Sequence, residues 1–331
     1  MSADLRRKLI WSMMLVLLLY IGFVLFSDLQ RLMSELNQWP WVWLPAVIGL
    51  TLVNYVARLL RWHWYLRLLG TPIGLADSAR IFGVGMLMVM TPGKAGEFLK
   101  SYMVKNVAGA PMTTTAPVIL AERMLDGFAM LLLAGAGLVV FPDPVARGVA
   151  ALTLAGFVAF LIVMQIRPLA LWCLEIGARL PVVKKFAGKL HEFYESSYTV
   201  FRPRNLLIAL SIGLLAWGAE GVAYYVVLIG FGVAPGLNTL ITCVFIFCIS
   251  VVIGAVVATP GGAGGVEGGL IALSTQIFGL TVATATAGAL LVRFCTLWLG
   301  VGLGIISFFL WSELLAGSEN VRREEQPVMG D

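Results

Sequence analysis

Long apolar blocks, separated by short polar segments, run through nearly the whole of this 331-residue chain. A transmembrane helix needs roughly 20 predominantly apolar residues, so the longest blocks are predicted to be full spans. We predict about six of them, at residues 9–26, 41–60, 115–141, 145–166, 206–233 and 281–310. After the second, residues 61–67 alternate basic and aromatic side chains, which is typical of a segment at the membrane interface. The pattern predicts an all-α, polytopic integral membrane protein.

Four further apolar segments form two pairs, and each pair surrounds a Pro-Gly break. These segments are residues 81–90 with 98–104 and residues 240–258 with 270–280. The first break reads T-P-G-K-A-G-E at residues 91–97; the second reads T-P-G-G-A-G at residues 259–264, with Glu267 three residues later. Broken backbone survives at membrane depth only where protein buries it or where it lines a wet cavity. We therefore predict two re-entrant helical hairpins.

The distribution of charge predicts the topology. Basic residues flank the apolar blocks, and the positive-inside rule places them, together with both termini, in the cytoplasm. The hairpins then enter from opposite faces, as in an inverted repeat. We expect a single transmembrane domain at residues 1–314, with repeat halves at about 41–166 and 205–314, and a cytoplasmic tail at 315–331. The expected location is the bacterial inner (plasma) membrane.

Composition narrows the possible functions. The chain is 60% hydrophobic and 12% charged, whereas soluble domains are about one quarter charged. The net charge of +5 suits lipid headgroups rather than nucleic acid. Four cysteines without a C-x-x-C pair indicate packing, and two histidines are too few for a His-rich metal centre. No acyltransferase, sugar-nucleotide or ATP-binding motif occurs, so we predict no catalytic residue, no metal and no cofactor, and do not expect an enzyme.

Ionised groups at membrane depth are the candidate functional residues, because each costs on the order of 2.5–3.5 kcal/mol at a helix centre. We predict one substrate site at Glu97 and Arg123. Its pseudo-symmetric counterpart pairs Glu267 with Arg293, and both are expected to face a central cavity. The arginines and Lys94 would hold a lipid phosphate, helped by N–H groups at the breaks. The glycines of this site are Gly93, Gly96, Gly261 and Gly264, and the supporting charges are Lys100, Glu122, Asp126 and Glu220.

The same residues also have purely structural explanations. A carboxylate in the first turn of a helix favours the helix dipole, although this does not explain the paired arginines. Glu122 and Asp126 share a helix face, and Arg123 lies three positions before Asp126. The arginine is therefore either neutralised within its helix as a lock or used for a substrate. The glycines favour close helix packing and sharp breaks with or without a ligand.

The two breaks carry a family resemblance. Residues 92–100, P-G-K-A-G-E-F-L-K, and residues 260–270, with P-G-G-A-G and E-G-G-L, resemble the transmembrane flippase-like domain of bacterial lysyl-phosphatidylglycerol synthetases. The domain also occurs in stand-alone membrane proteins, and the resemblance covers roughly residues 9–314. In the synthetases it is thought to move aminoacylated lipid between leaflets, while a separate cytosolic domain makes that lipid. No such domain is expected here, so the resemblance implies translocation alone.

The resemblance implies a membrane lipid as partner and leaves its identity open: an anionic phospholipid, a polyprenyl-phosphate lipid, or a hopanoid or glycolipid. Two other functions also remain open. Undecaprenyl-pyrophosphate phosphatases use inverted repeats with re-entrant Pro-Gly loops, although residues 92–97 lack the serines of their P-G-x-S-R-S loop. The alternative is a non-transporting scaffold for a lipid-modifying enzyme, with residues 184–204 as the contact. A lipid-biosynthesis enzyme or a second copy of this chain would then be a protein partner.

Overall fold

The structure, a computed structural model, describes residues 29–91, 96–137 and 195–315 and isolated positions between 148 and 159. Every regular element in these ranges is helical, and none is a β-strand. The all-α prediction is confirmed for this part of the chain. Several predictions lie wholly or mostly outside the described residues: the spans at 9–26 and 145–166, the break residues 92–95, the contact segment at 184–204 and the tail.

We number the α-helices of the described part from the N-terminal end. They are α1 (Leu29–Gln38), α2 (Leu44–Leu68), α3 (Leu75–Leu87), α4 (Leu99–Ala108), α5 (Met112–Gly137), α6 (Pro203–Gly230), α7 (Leu237–Val257), α8 (Gly265–Phe278), α9 (Val282–Arg293) and α10 (Leu299–Leu310). A 3₁₀ turn at Trp41–Trp43 leads into α2. A π-helical segment at Phe294–Trp298 joins α9 to α10, so that these two helices form one continuous rod.

Four of these helical stretches are long and apolar enough to cross a membrane: Trp41–Leu68, Pro203–Gly230, Leu237–Val257 and Val282–Leu310. Three occupy the positions of predicted spans. The span predicted at 115–141 corresponds to α5, which is 26 residues long but carries Glu122, Arg123 and Asp126 near its middle. The remaining stretch, Leu237–Val257 (α7), is predicted as one arm of a hairpin, yet its 21 residues are long enough to cross a membrane by themselves. The span count and the re-entrant paths therefore stay predictions.

The first break separates two short helices, as predicted. α3 has 13 residues and α4 has 10, so neither alone matches the thickness of a bilayer. After α3 the chain forms a 3₁₀ turn at Met88–Met90, and Thr91 is extended. The Thr91 hydroxyl donates to the Met88 carbonyl at 2.6 Å and accepts from the Gly96 N–H at 2.8 Å. This one side chain therefore ties the two ends of the break together.

The second break depends on left-handed backbone. Ala258, directly after α7, has a φ of 57°, which is unusual for a residue with a Cβ. Glycine adopts positive φ without steric cost, and the φ angles are 63°, 70° and 85° at Gly261, Gly262 and Gly264. α8 begins at Gly265, before the predicted start at residue 270, because Glu267 caps its first turn. The Glu267 Oε2 atom accepts from the Gly264 N–H at 2.7 Å.

The prediction of an interfacial segment at residues 61–67 is wrong for several of its side chains. α2 continues through it, and Arg61, Trp62 and Tyr65 are completely buried. Arg61 lies inside the helix bundle because its guanidinium pairs with Asp126 of α5 at 2.5 Å. Arg61 thus meets a buried ionic partner instead of lipid headgroups, while Arg67 at the end of the segment is exposed.

Glycines set the distance between α7 and α8. A Cβ on Gly265 would lie 2.8 Å from the Gly254 Cα atom, and a Cβ on Gly269 would lie 2.8 Å from the Ser250 Oγ atom. Contacts this short are not made by real side chains, so the two helices need glycine at these positions to pack as closely as they do. The predicted packing role of the break glycines therefore extends into the helices on both sides.

The largest apolar core lies around α6 and α7. The aromatic residues Trp39, Trp217, Tyr224 and Phe247 are among its buried members. Three cysteines, Cys243, Cys248 and Cys295, are free thiols buried in the same core, which confirms their predicted packing role; Cys173 lies outside the described residues. This core supports α5, α6 and α7, the helices that form much of the wall of the candidate site.

Candidate functional site

A cavity of about 320 Å³ lies beside the two breaks, and helices from both halves of the chain line it. Its apolar wall includes Phe82, Met86, Phe247, Val251 and Leu297. Its charged wall consists of Arg58, Glu97, Lys100, Arg123, Asp126, Glu220 and Arg293. The volume is at the lower end of the range for ligand pockets. An apolar surface thus meets a cluster of charges within one small chamber.

The first Glu–Arg pair joins the first break to α5. Arg123 Nε lies 3.2 Å from Glu97 Oε2, and Arg123 Nη2 lies 3.0 Å from Asp126 Oδ2. These are ion-pair contacts, because neither of these Arg123 nitrogens makes a hydrogen bond of good geometry with a described residue. The Arg123 side chain is 22% exposed and lines the cavity. Glu97 lies in a 3₁₀ turn at residues 96–98 that leads directly into α4, so it occupies the first helical turn after the break, as predicted.

Asp126 connects α5 to α2. Its Oδ1 atom lies 2.5 Å from Arg61 Nη2, and its Oδ2 atom lies 3.9 Å from Arg58 Nη2. Together with Arg123, this brings three guanidinium groups around one carboxylate. The predicted neutralisation of Arg123 within its own helix is present, and the same carboxylate also holds the buried Arg61 of the neighbouring helix.

The second Glu–Arg pair is more completely hydrogen-bonded. Arg293 donates from Nε to Glu267 Oε1 at 2.6 Å and from Nη2 to the Gly261 carbonyl at 2.6 Å. Its side chain is only 8% exposed. Arg293 and Gly261 line the cavity, whereas Glu267 is fully buried behind the wall. The predicted pairing is therefore present in both halves, but only the first half presents its carboxylate to the cavity.

A third ion pair has no counterpart in the second half. Lys100 Nζ lies 2.7 Å from Glu122 Oε2, both side chains are almost fully buried, and the ammonium also lies 4.2 Å from the centre of the Trp62 ring. Aligning the two Glu–Arg pairs places Leu270 opposite Lys100 and Val292 opposite Glu122. Both of these residues are buried. The repeat thus keeps one ion pair and replaces another with an apolar contact.

The predicted glycine N–H groups do not face a ligand where the structure describes them. Gly96 donates to Thr91 Oγ1, and Gly264 donates to Glu267 Oε2. Gly261 contributes its carbonyl to Arg293 and lines the cavity. Gly93 and Lys94 lie outside the described residues. The expectation that Gly96 and Gly264 hold a phosphate through their N–H groups is not met, because the break itself uses both donors.

Three predicted supporting residues, Lys100, Asp126 and Glu220, line the cavity. The sequence interpretation missed Arg58, Tyr55 and Trp217. Arg58 is assigned from sequence to a flanking basic cluster, although a signal for its position was present. Thr51, Asn54, Arg58, Arg61 and Tyr65 recur at spacings of three and four residues, which places them on one face of α2. Such a polar stripe on an otherwise apolar helix indicates a face turned toward protein or a polar cavity.

These features define an all-helical, multi-pass membrane protein with a charged internal cavity. Residues 13–304 match the family described as the lysylphosphatidylglycerol synthase TM region. The chain belongs to this family, which confirms the resemblance carried by the two breaks.

Two relatives from Methanothermobacter thermautotrophicus are each named UPF0104 membrane protein. One is 25% identical over 276 residues, covering 76% of this chain and 80% of its own length. The second is 25% identical over 318 residues, covering 88% of this chain and 90% of its own length. The match extends over most of each chain, and the relatives' names give a membrane location without an activity.

Proposed function

We propose that this protein moves a phosphate-bearing lipid between the leaflets of the plasma membrane, as a flippase or scramblase, by holding the lipid headgroup in the central cavity. The observation that carries the proposal is the meeting of charged residues from both repeat halves in one chamber beside two backbone breaks. Charged groups inside a membrane domain typically mark a path for a polar substrate. Broken helices at corresponding places in two halves typically mark its binding site.

The charges of the wall favour an anionic headgroup. Among the described residues, four cations and three carboxylates line the cavity, which leaves one positive charge in excess on this part of the wall. Behind it lie the buried Arg61, Glu122 and Glu267, which bring the described charges to balance. A phosphodiester carries a single negative charge, and guanidinium groups bind phosphate oxygens well. The wall is therefore suited to an anionic phospholipid or a polyprenyl-phosphate lipid.

The size of the cavity favours a headgroup over a whole lipid. A chamber of about 320 Å³ accommodates a small polar group and leaves long acyl or prenyl chains outside, in the bilayer. A headgroup can then cross in a polar chamber while its chains stay in lipid. We propose that the two hairpins are re-entrant from opposite faces, with both termini cytoplasmic, so that the chamber can open toward either leaflet.

We further propose that the protein binds and moves its lipid without breaking a bond in it. Among the described residues that line the cavity there is neither a serine nor a histidine. The lining does hold carboxylates, Lys100 and Tyr55, which can also serve in acid–base catalysis. A phosphatase activity therefore stays the alternative to transport, and an enzyme partner or a homodimer stays a prediction.

A reconstitution assay tests the proposed function. The purified full-length protein is placed in phosphatidylcholine vesicles with fluorescent NBD-phosphatidylglycerol or an NBD-labelled uncharged glycolipid, with and without a proton gradient. Dithionite bleaches only the outer leaflet, so we expect the inner-leaflet signal of the phosphatidylglycerol to decay faster than in protein-free vesicles. Decay at the protein-free rate under all conditions would contradict translocation. Faster movement of the glycolipid alone would contradict the phosphate preference.

A further inference from the structure

We propose that Arg58 and Arg123 form the phosphate-binding pair of the cavity, whereas Arg293, at the place equivalent to Arg123, is a structural residue that holds the second break. This inference rests on the proposed headgroup-binding function and replaces two symmetrical sites with one. Arg58 thereby becomes a binding residue.

The two equivalent arginines differ in how their donors are used. Arg293 gives two hydrogen bonds of 2.6 Å, one to Glu267 and one to the Gly261 carbonyl. A phosphate would have to displace short, buried bonds to engage it. Arg123 makes ion-pair contacts at 3.0 and 3.2 Å whose nitrogens lack well-formed hydrogen bonds within the described ranges. It is also more exposed, at 22% against 8%. The Nε and Nη2 atoms are themselves buried against these carboxylates, so it is the exposed remainder of the Arg123 side chain that a ligand in the cavity can reach.

Arg58 adds a second guanidinium to the same part of the wall. Its side chain is 16% exposed, and its nearest carboxylate oxygen, on Asp126, is 3.9 Å away. Its Nε atom makes no hydrogen bond with a described residue, and its guanidinium lies 5.9 Å from the centre of the Trp217 ring. The Nε atom is buried, so a ligand would reach the part of the Arg58 side chain that is exposed at the cavity wall. Arg58 is thus held at the cavity by Trp217 and by a long contact to Asp126.

The two arginines converge on one acceptor atom. Arg123 and Arg58 approach the same Asp126 Oδ2 atom, at 3.0 and 3.9 Å. A phosphate in the cavity would bind the sides of the two guanidinium groups that face away from Asp126, because the Asp126 Oδ2 atom is itself buried and negatively charged. Asp126 need not move, because Arg61 holds its other oxygen at 2.5 Å from outside the cavity wall. The Asp126 carboxylate, held by Arg61, therefore fixes the positions of Arg58 and Arg123.

The second half has no equivalent of this arrangement. The residue three positions after Arg293 is Thr296, where the first half has Asp126. The Thr296 hydroxyl donates to the Val292 carbonyl at 2.8 Å. Threonine carries no negative charge, so Thr296 cannot pair with arginines as Asp126 does. The proposed phosphate site therefore lies on the first-half side of the cavity, while the second half contributes Glu220, Arg293 and apolar residues to the lining.

Matched neutral variants separate the two arginines. Arg123→Gln is combined with Glu97→Gln, and Arg293→Gln with Glu267→Gln, so that neither variant leaves a buried carboxylate without its cation. Arg58→Gln is made alone, because its carboxylate contact is long. The readout is native mass spectrometry of the purified full-length protein titrated with phosphatidylglycerol, with melting temperature and size-exclusion profile recorded for each variant. Inorganic phosphate is added as a competitor in a separate arm.

The proposal expects phosphatidylglycerol affinity to fall about tenfold or more in Arg58→Gln and in the Glu97/Arg123 variant, since each removes charge-assisted hydrogen bonds. The Glu267/Arg293 variant should lose melting temperature and keep its affinity. If that variant fails to fold, Arg293→Lys takes its place. The folded fraction of Arg293→Lys should likewise keep its affinity for phosphatidylglycerol. Loss of affinity in the second-half variant equal to that in the first-half variant would overturn the division of roles, and unchanged affinity in Arg58→Gln would remove Arg58 from the site.

Two further results distinguish failure of the proposed headgroup function from binding of free phosphate. If the wild-type protein binds no phosphatidylglycerol, the proposed headgroup function fails together with the inference. If equimolar inorganic phosphate displaces the lipid completely, the arginine pair is a site for free phosphate, and the lipid is overturned as its ligand. Retention of the lipid against the competitor supports a lipid headgroup as the occupant.

Discussion

Glu267 and Arg293 are 26 positions apart in the chain, and their side chains meet at 2.6 Å. Glu97 and Arg123 have the same separation in sequence and lie 3.2 Å apart. In each half the ion pair joins the residues beside a backbone break to the second α-helix after that break, which is α5 in the first half and α9 in the second. The pair therefore helps to hold the chain in place at the break. The conserved separation within one chain is the clearest structural sign of the repeat.

The first prediction concerns the hydrogen bonds of Arg293. Arg293→Ala leaves Glu267 buried without its cation, and we expect a loss of about 3–5 kcal/mol in the free energy of unfolding. The loss should be visible as a lower melting temperature in detergent. In Arg293→Ala with Glu267→Gln, the buried negative charge is removed and the Gly264 N–H keeps an acceptor, so part of the stability should return. A double variant no more stable than the single one would contradict the role of the buried charge.

The second prediction uses the repeat to redesign the Lys100–Glu122 pair. Lys100→Leu combined with Glu122→Val imports the residues found at the equivalent positions, Leu270 and Val292. We expect stability within about 1–2 kcal/mol of the wild type, because a buried ion pair can be replaced by apolar residues at little cost. Lys100→Leu alone should cost about 3–5 kcal/mol, since it leaves an unpaired buried carboxylate. Thermal unfolding of the two variants side by side makes the comparison.

An outcome in which the double variant is as unstable as the single one would show that the first half needs these charges in place. That result would also favour a structural contribution of Lys100 beyond its ion pair, such as its contact with the Trp62 ring. The matched single variant keeps this comparison independent of the detergent, since both proteins are measured under the same conditions.

The third prediction concerns the left-handed residues of the second break. Ala258 has a φ of 57°, so Ala258→Gly should relieve strain and raise stability by about 0.5–1 kcal/mol after the entropic cost of glycine. Gly261→Ala introduces a Cβ at a φ of 63° and only 3.1 Å from the Leu297 side chain, and should lose about 1–2 kcal/mol or more. Gly218→Ala, in open space on α6, is the control and should gain slightly. A stabilising Gly261→Ala would contradict this geometry.

The fourth prediction tests whether the cavity is used. Gly127 and Gly135 both lie on α5, and a Cβ on either would meet nothing within 4 Å, but only Gly127 lines the cavity. Gly127→Leu should fill part of the chamber and weaken lipid binding by about tenfold, corresponding to an overpacking cost of about 1–3 kcal/mol. Gly135→Leu should leave binding unchanged. Lipid movement in vesicles and lipid binding by mass spectrometry check both variants, and equal effects at the two positions would contradict a functional cavity.

Much of the fold could be predicted from the chain. The apolar blocks identify α2, α6 and the α9–α10 rod, because helices in a membrane must satisfy their backbone internally. The T-P-G sequences mark both breaks, since proline and glycine interrupt helices by their covalent structure. The spacing of glutamates and arginines predicts the two ion pairs. The burial of Arg61 could not be predicted, because a basic residue among aromatic ones suits headgroups or a buried carboxylate equally well.

The sequence by itself determined the membrane class, the two breaks and the two Glu–Arg pairs, since these depend on local chemistry and on spacing along the chain. Only the tertiary structure decided that Arg58 and Arg123 share the Asp126 carboxylate and that Arg293 is held by the Gly261 carbonyl. Such differences depend on which helix faces pack together, and packing is set by many contacts distant in sequence. The equivalence of the two halves is therefore a property of the sequence, and the difference between their arginines is a property of the fold.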